Sequence, residues 1–354
     1  MFEQLPSTAA DFYRVTLFNA LVSLKINRHA DNFDAFRFNV DGKDHALDFN
    51  VADHVFYFDW FFRTHPLLFA TYQQLGDDAS KRLFLFLVLY RLCGHLSVKI
   101  PLPWRDQTAE LEAYRQAESP QPSTLALSGL FGGLKHYDFT YRGRHYRMDS
   151  MHLEPVIFRR QYFYEDNGLR IAPEAGDHVI DGGACTGDTA VIFSDIVGPE
   201  GRVYAFDPVA DHLDVIQHNL TQNGFQNVSL LPYGISETDV DAEPMRLNRY
   251  WAGFNVQDQP VPLRTIDRLV AEGQIERVDF IKFDIEGSEL AGLKGARQTI
   301  ERFKPKLAIS LYHKPQDLYE IPQYLRDNFP FYEFRLGHYT IHREETILYA
   351  IARA

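Results

Sequence analysis

The chain has 354 residues, 45% of them hydrophobic, with 28 Phe and 19 Tyr, and this much apolar material excludes a disordered chain. The length predicts roughly two domains. With 36 basic and 48 acidic residues the net charge is −12, which repels phosphate backbones and excludes nucleic acid as a partner held by general charge.

In chain order, the N-terminus MFEQLPSTAADFYRV has neither a basic start nor an early apolar run, so it does not read as a signal peptide. Residues 1–130 read as mainly helical, with apolar helical stretches at 51–72 and 81–95 interrupted only by Pro66. The most apolar run, LFLFLVLY at 83–90, is bounded by Lys81, Arg82 and Arg91. It is too short to cross ~30 Å of hydrocarbon and reads as a buried core helix. Pro101-Leu-Pro-Trp104 closes this region, and 116–124, QAESPQPST, reads as a surface linker. Residues 136–149, HYDFTYRGRHYRMD, alternate aromatic and polar around Arg142-Gly143 and predict a β-hairpin. A short helix is expected at about 154–164.

Beyond Asp177 the pattern changes. Strand-like HVIDGG, RVYAFDP, VSLLPYG, VDFIKFDI and KLAISLYH alternate with helical stretches, among them 210–223 and 289–303. Such alternation predicts βαβ units and a parallel sheet. The last stretch, FYEFRLGHYTIHREETILYAIA, leaves no room for a helix between its two strands and predicts a closing antiparallel hairpin. The division expected is a mainly helical region at 1–150 ending in a hairpin, then an α/β domain at 151–354. Cys93 and Cys185 are the two cysteines; they supply neither a disulfide framework nor a zinc knuckle and fit a reducing cytoplasm.

The sharpest local signal is HVIDGGACTGD at 178–188, with Asp181, Gly183 and Gly187 in D-x-G-x-x-x-G spacing. Gly183 lets the backbone turn tightly and Gly187 permits close packing where a helix starts. The spacing is not the dinucleotide G-x-G-x-x-G, and Asp181 and Asp188 would oppose a pyrophosphate. Two carboxylates suit a cationic ligand, and S-adenosylmethionine carries a sulfonium and an ammonium. The next strand ends in Asp207, about twenty residues on, where α/β nucleotide-binding folds receive ribose hydroxyls. Tyr233 and the Gly234 backbone end the third strand, on the adenine edge.

A second signal is VDFIKFDIEGSE at 278–289, which delivers Asp284 and Glu286 to a strand's C-terminal end, where ligands of such sheets bind. Ser288 or Glu289 reads as a helix cap, and Lys282 as a partner for a nearby acid. The following strand ends in His313, a residue type suited to general-base work. Two roles stay open for Asp284, Glu286 and His313: removing a proton from an acceptor hydroxyl, or holding a divalent metal that orients and acidifies it.

These motifs together resemble the FkbM family of S-adenosylmethionine-dependent methyltransferases: VIDGGACTGDT, AFDP, Thr265-Ile-Asp-Arg-Leu269, IKFDIEGSE with Gly295-Ala296, ISLYHKPQDL and ETILYA, over about 155–353. The resemblance implies a class I methyltransferase (Rossmann-like) fold, S-adenosyl-L-methionine as cofactor, and O-methylation of a sugar or secondary-metabolite hydroxyl. It carries cofactor binding onto Asp181, Gly183, Gly187 and Asp207, and places Asp284, Glu286 and His313 at the reactive end. It leaves residues 1–150 as a cap or oligomerisation region of a cytoplasmic enzyme that acts on a small-molecule or glycan acceptor, with a homo-oligomer as one arrangement. The competing readings are a dinucleotide-dependent oxidoreductase and a non-catalytic nucleotide-binding module.

Overall fold

In the computed structural model, residues 2, 4–33, 39–40, 43–44, 51–102, 121–125, 134–166, 168–245 and 259–353 are described. Packing divides the chain into two units: residues 1–106 with 311–348, and 107–310 with 349–354. The cut by packing at 106/107 differs from the cut by sequence pattern at 150/151.

Among the described residues the first unit opens with a helix, a two-residue antiparallel strand pair (39–40 with 43–44) and two further helices. In α1 (Ala9–Ile26) Thr8 caps the start by accepting the Asp11 N–H at 3.1 Å, and Phe12, Thr16, Asn19, Ala20 and Ser23 form the buried stripe. Helix α2 (Val51–Gln74) buries Tyr57, Trp60, Phe61, Leu68, Phe69 and Tyr72, with Pro66 inside it. Helix α3 (Asp78–Cys93) starts at the Asp77 cap and stops where Gly94, at φ 75, donates to the Tyr90 carbonyl. The Phe12 ring lies 5.7 Å from Phe69 and 5.6 Å from Tyr72, so the phenylalanine-rich stretch builds core. The run at 83–90 is likewise part of a buried helix, and no helix among the described residues is long and apolar enough to cross a membrane. The expected end of this region at Trp104 lies outside the described residues, as do 116–120 of the expected linker.

Of the rest of that linker, Ser123 and Thr124 are coil, while the exposed Gln121 and Pro122 form β1 (Gln121–Pro122), which pairs with β2 (Lys135–Tyr141), itself paired antiparallel with β3 (Arg144–Ser150). The β2–β3 turn has φ 51 at Arg142 and φ 81 at Gly143, the two left-handed residues that a tight hairpin needs. The helix expected at 154–164 is a five-residue π-helical turn, Glu154–Phe158. The chain turns left-handed at Arg160 (φ 55) and enters the small antiparallel pair β4 (Tyr164–Asp166) and β5 (Leu169–Ile171).

The α/β part follows as β6 (His178–Gly182), α4 (Asp188–Val197), β7 (Arg202–Phe206), α5 (Ala210–Asn223) and β8 (Val228–Leu231). A side sheet of β9 (Gly234–Ile235), β10 (Val240–Met245) and β11 (Gln259–Arg264) precedes α6 (Ile266–Ala271). Then come β12 (Phe280–Phe283), α7 (Glu289–Gly295), α8 (Arg297–Phe303) and β13 (Lys306–Ser310). The expected single helix at 289–303 is thus two. The carboxylate of Asp267 accepts the Gln298 and Thr299 N–H groups at 2.9 and 2.8 Å, so α8 has an N-terminal cap of its own.

The main sheet of this unit runs β8-β7-β6-β12-β13, and the pairs β8–β7, β7–β6, β6–β12 and β12–β13 are parallel. From β6 the chain steps outward to β7 and β8, then returns to lay β12 on the other side of β6. The reversal makes the β6/β12 junction the topological switch point, and the crevice at its C-terminal strand ends is where such sheets bind ligands. These strands are nearly continuous apolar runs because helices cover both faces; every residue of β12 is buried.

The chain then re-enters the first unit with α9 (Asp317–Asn328), β14 (Tyr332–His338) and the start of β15 (Thr346–Ala352). Tyr332, Phe334, Leu336 and His338 alternate inward along β14. Strands β14 and β15 are neighbours, and the Tyr339 N–H donates to the Glu345 carbonyl across their short link. A link of residues 339–345 cannot return the chain for parallel pairing, so the hairpin is antiparallel, as the sequence predicts. The end of β15 belongs to the second unit, beside β13.

Candidate active site

Two loops meet at the switch point. The first, 183–187, leaves β6 and enters α4. Gly183 has φ 76, and a Cβ on it would stand 1.8 Å from the Asp284 carbonyl oxygen, so only glycine fits between the two strand ends. Gly187, at φ 79, faces α5, where a Cβ would meet Ile216 at 3.1 Å. Cys185 is left-handed without being glycine (φ 48), and its N–H donates to Asp207 Oδ2 at 3.0 Å. Burial pushes the Cys185 thiol well above its usual range, so it stays neutral.

Asp181, one residue before the end of β6, has no exposure. Its Oδ2 accepts from Thr189 Oγ1 at 2.7 Å and its Oδ1 pairs with Lys282 Nζ at 3.0 Å. Lys282, from the adjacent β12 and 2% exposed, also donates to the Gly182 and Gly183 carbonyls at 3.0 and 2.8 Å. Burial alone would lower the lysine pKa, but the Asp181 and Asp284 charges outweigh it and raise it, so the ammonium stays charged. Asp181 therefore anchors the cation that grips the glycine loop from behind. The other acids of the two loops and their strand ends are Asp188, Asp207, Asp284 and Glu286. Burial raises Asp188, at the first turn of α4, to about 6.

Asp207 follows β7 and is almost fully enclosed. Besides the Cys185 N–H it accepts the Val209 N–H at 3.0 Å and His212 Nδ1 at 2.9 Å. A carboxylate offers about four lone-pair sites. Three are engaged here, which leaves room for one further donor such as a ribose hydroxyl.

The second loop, 284–288, leaves β12. Asp284 donates its N–H to the Gly182 carbonyl at 3.1 Å and accepts the Tyr162 hydroxyl on Oδ2 at 2.7 Å. Tyr162 also stacks its ring 5.2 Å from Lys282 Nζ. Glu286 is exposed and left-handed at φ 55, and Gly287 follows at φ 91. Glu289 is fully buried. Its Oε1 accepts the Ile285 N–H at 2.8 Å and the Gly287 N–H at 3.4 Å, so it fastens the loop as well as starting α7. Ser288 makes no side-chain cap bond.

Asp181, Gly183, Lys282 and Asp284 thus converge, with Gly187 and Asp207 on the far side of the same glycine loop. Gly234 starts β9 against Leu263 of β11, and Tyr233 lies under the Arg264 guanidinium at 5.2 Å. Their neighbour Ile235 packs beneath the glycine turn, 2.9 Å from where a Gly182 Cβ would be. His313 lies three residues past β13, in the first unit, half-buried with its ring 4.2 Å from that of Tyr312. Sequence reasoning missed Tyr162 and His212, and took Glu289 only as a cap. The His212 pairing had a faint signal, an imidazole five residues after a strand-end acid; Tyr162 had none.

The strand order and the two loops define an α/β domain of the class I methyltransferase type. Residues 181–335 match the methyltransferase FkbM domain. The crystal structure of the methyltransferase FkbM from Methylobacillus flagellatus KT superposes with a TM-score of 0.53 at 24% identity, covering 82% of this chain and 60% of that one, and shows the shared fold. The hexuronic acid methyltransferase AglP of Haloferax volcanii is 29% identical over 132 residues, 36% of this chain and 53% of that protein. The chain therefore spans about half to three fifths of the length of these relatives.

Proposed function

We propose that the protein is an S-adenosylmethionine-dependent O-methyltransferase acting on a hydroxyl of a sugar or secondary metabolite, with a uronic-acid-bearing glycan as the first acceptor to try. The observation that carries this reading is an FkbM methyltransferase domain whose two switch-point loops present acids at the carboxyl edge of a parallel sheet. The hexuronic acid specificity printed for the Haloferax relative supports the acceptor class.

The residues present fit the donor. Asp207 keeps one acceptor position, Asp188 and Glu286 add negative charge, and the Lys282 charge is already matched by Asp181. When bound, the donor supplies an activated methyl on a sulfonium. The chain's own work is to orient the acceptor oxygen, exclude water and take one proton. We assign that proton to Asp284, Glu286 or His313, with Asp284 the most firmly placed by its Tyr162 bond. Tyr233 and Gly234 are assigned to the adenine edge. Free thiols at Cys93 and Cys185 support a cytoplasmic setting.

The test is calorimetry with S-adenosylhomocysteine and with NAD, followed by label transfer from methyl-labelled S-adenosylmethionine to uronic-acid oligosaccharides. We expect heat with the first ligand only and transfer that is lost in Asp284→Asn. Binding of NAD alone would replace the reading with an oxidoreductase. Loss of transfer in EDTA with recovery on Mg²⁺ would move the acids and His313 from proton acceptors to metal ligands.

A further inference from the structure

The hairpin β2–β3 precedes the matched domain, yet it is built into the donor loop. Strand β3 is the edge of its small sheet, so its outward N–H and C=O groups at Arg147 and Asp149 need partners other than a strand. Helix α5 supplies them from two asparagines one turn apart. Asn223 accepts the Arg147 N–H at 3.1 Å and donates to the Arg147 carbonyl at 2.7 Å. Asn219 does the same for Asp149, accepting its N–H at 2.7 Å and donating to its carbonyl at 2.8 Å. The side chains of α5 thereby pair with β3 as a neighbouring strand would.

The two asparagines differ in one respect. The second Asn219 N–H donates to the Thr186 carbonyl at 2.8 Å, inside the glycine loop, whereas the Asn223 amide reaches back only to the Asn219 carbonyl. Beside it, Ser150 Oγ and Thr186 Oγ1 are 2.9 Å apart, which joins the hairpin's last residue to the same loop residue. Asn219, Asp149, Ser150 and Thr186 are each no more than 2% exposed. A fully satisfied buried network of this kind fixes one geometry rather than adding bulk stability. What it fixes is Thr186, the neighbour of left-handed Cys185, whose N–H reaches Asp207. Asp149's carboxylate locks the hairpin further by accepting from His136, His218 and Gln222, each at 3.1 Å.

We infer that Asn219, with Ser150 and Thr186, is a positioning unit through which the hairpin holds the glycine loop in its donor-binding form. The inference rests on the methyl-donor reading above. Asn223 serves as the internal control, because it clamps the same strand by the same two bonds without touching the loop. In calorimetry with S-adenosylhomocysteine on the full chain, Asn219→Ala weakens binding at least tenfold and Ser150→Ala two- to fivefold. Asn223→Ala stays within twofold of the wild type, although both asparagine variants melt at a lower temperature. Thr186→Ser keeps the hydroxyl and retains binding, whereas Thr186→Val behaves like Ser150→Ala. Equal affinities for the Asn219 and Asn223 variants overturn the inference while the donor reading stands. Should Asn219→Ala not fold, an unchanged Kd in Ser150→Ala and Thr186→Val overturns it equally. A wild type that binds no S-adenosylhomocysteine removes the donor reading itself, and the inference with it.

Discussion

The two loops at the switch point are built alike and anchored differently. Each follows a buried parallel strand, each has one left-handed residue that is not glycine, Cys185 at φ 48 and Glu286 at φ 55, and each then has a left-handed glycine before its helix. Each is fastened by a carboxylate that accepts at least one loop N–H. For the glycine loop that carboxylate is Asp207, from the next strand; for the acidic loop it is Glu289, from the loop's own helix. The glycine loop is thus tied to its surroundings through Asp207, Asn219 and Ser150, while the acidic loop is fastened from within by Glu289 and from outside by the Gly182 carbonyl and Tyr162, both on Asp284. A loop that closes around a ligand of fixed shape gains from many outside anchors. A loop that presents reactive acids needs only to hold their direction.

Lys282 is where the comparison is easiest to break, since it stands on the strand of one loop and grips the carbonyls of the other. Lys282→Met leaves the buried Asp181 carboxylate without its cation, which costs about 3–5 kcal/mol by analogy with other broken buried pairs. Urea unfolding should show this loss, and Asp181→Asn added to Lys282→Met should recover part of it. A loss below about 1 kcal/mol would mean that the pair is not the common anchor.

Glu289 tests the internal fastening of the acidic loop. Glu289→Ala strands the Ile285 and Gly287 N–H groups, at about 1–3 kcal/mol. Hydrogen exchange should speed up at those two amides and leave Cys185 protected. Glu289→Gln keeps an acceptor oxygen and should fall between this variant and the wild type. If Glu289→Ala loosens both loops alike, the acidic loop is not independently fastened.

Most of the fold was legible in the sequence, because strand and helix periods are local signals. The five parallel strands, Ala210–Asn223 as a helix, the Arg142-Gly143 turn and the closing hairpin all follow from such patterns. What failed differed in cause: 154–164 lost its helix to a π-turn and a left-handed Arg160, a local event, whereas 289–303 divides into two helices, the second capped by Asp267 from 31 residues away. The site was legible as strand ends and glycines, down to an acid partner for Lys282. Its wiring was not, because the partners are distant in sequence. Tyr162 meets Asp284 across 122 residues and Asn219 meets Asp149 across 70. Composition and spacing also suggested Asp181 as a direct counter-charge, whereas only the folded chain shows Lys282 against it.

Asp188 offers a smaller test, by pH. Its pKa rises from 3.8 to about 6 on folding because burial penalises the charge. Between those values the folded chain holds more protons than the unfolded one, so this residue makes stability fall as pH rises through the window. Asp188→Asn should flatten that part of the stability profile. In the wild type, affinity for S-adenosylmethionine should rise about a few-fold from pH 5 to 7 as the carboxylate ionises near a sulfonium cation, and affinity for the thioether S-adenosylhomocysteine should change less. An affinity that is flat across the window would remove Asp188 from the donor's surroundings and leave Asp207 as the glycine loop's acid.

The smallest expected effect is also the most discriminating. A left-handed backbone costs a non-glycine residue about 1 kcal/mol, and glycine relieves it. Glu286→Gly should raise the midpoint of thermal unfolding by about a degree or less in a chain of this length, part of the gain being lost to a floppier unfolded chain. Cys185 packs against buried Leu134 and Val215, so Cys185→Gly loses apolar contact that offsets the same relief and should leave stability level or lower. Transfer activity should move the opposite way at Glu286, falling as stability rises, because the substitution also removes a carboxylate from the acidic loop. If Glu286→Gly is both more stable and fully active, the left-handed acid is a bystander. The acidic loop's reactive group would then be Asp284, held by Tyr162.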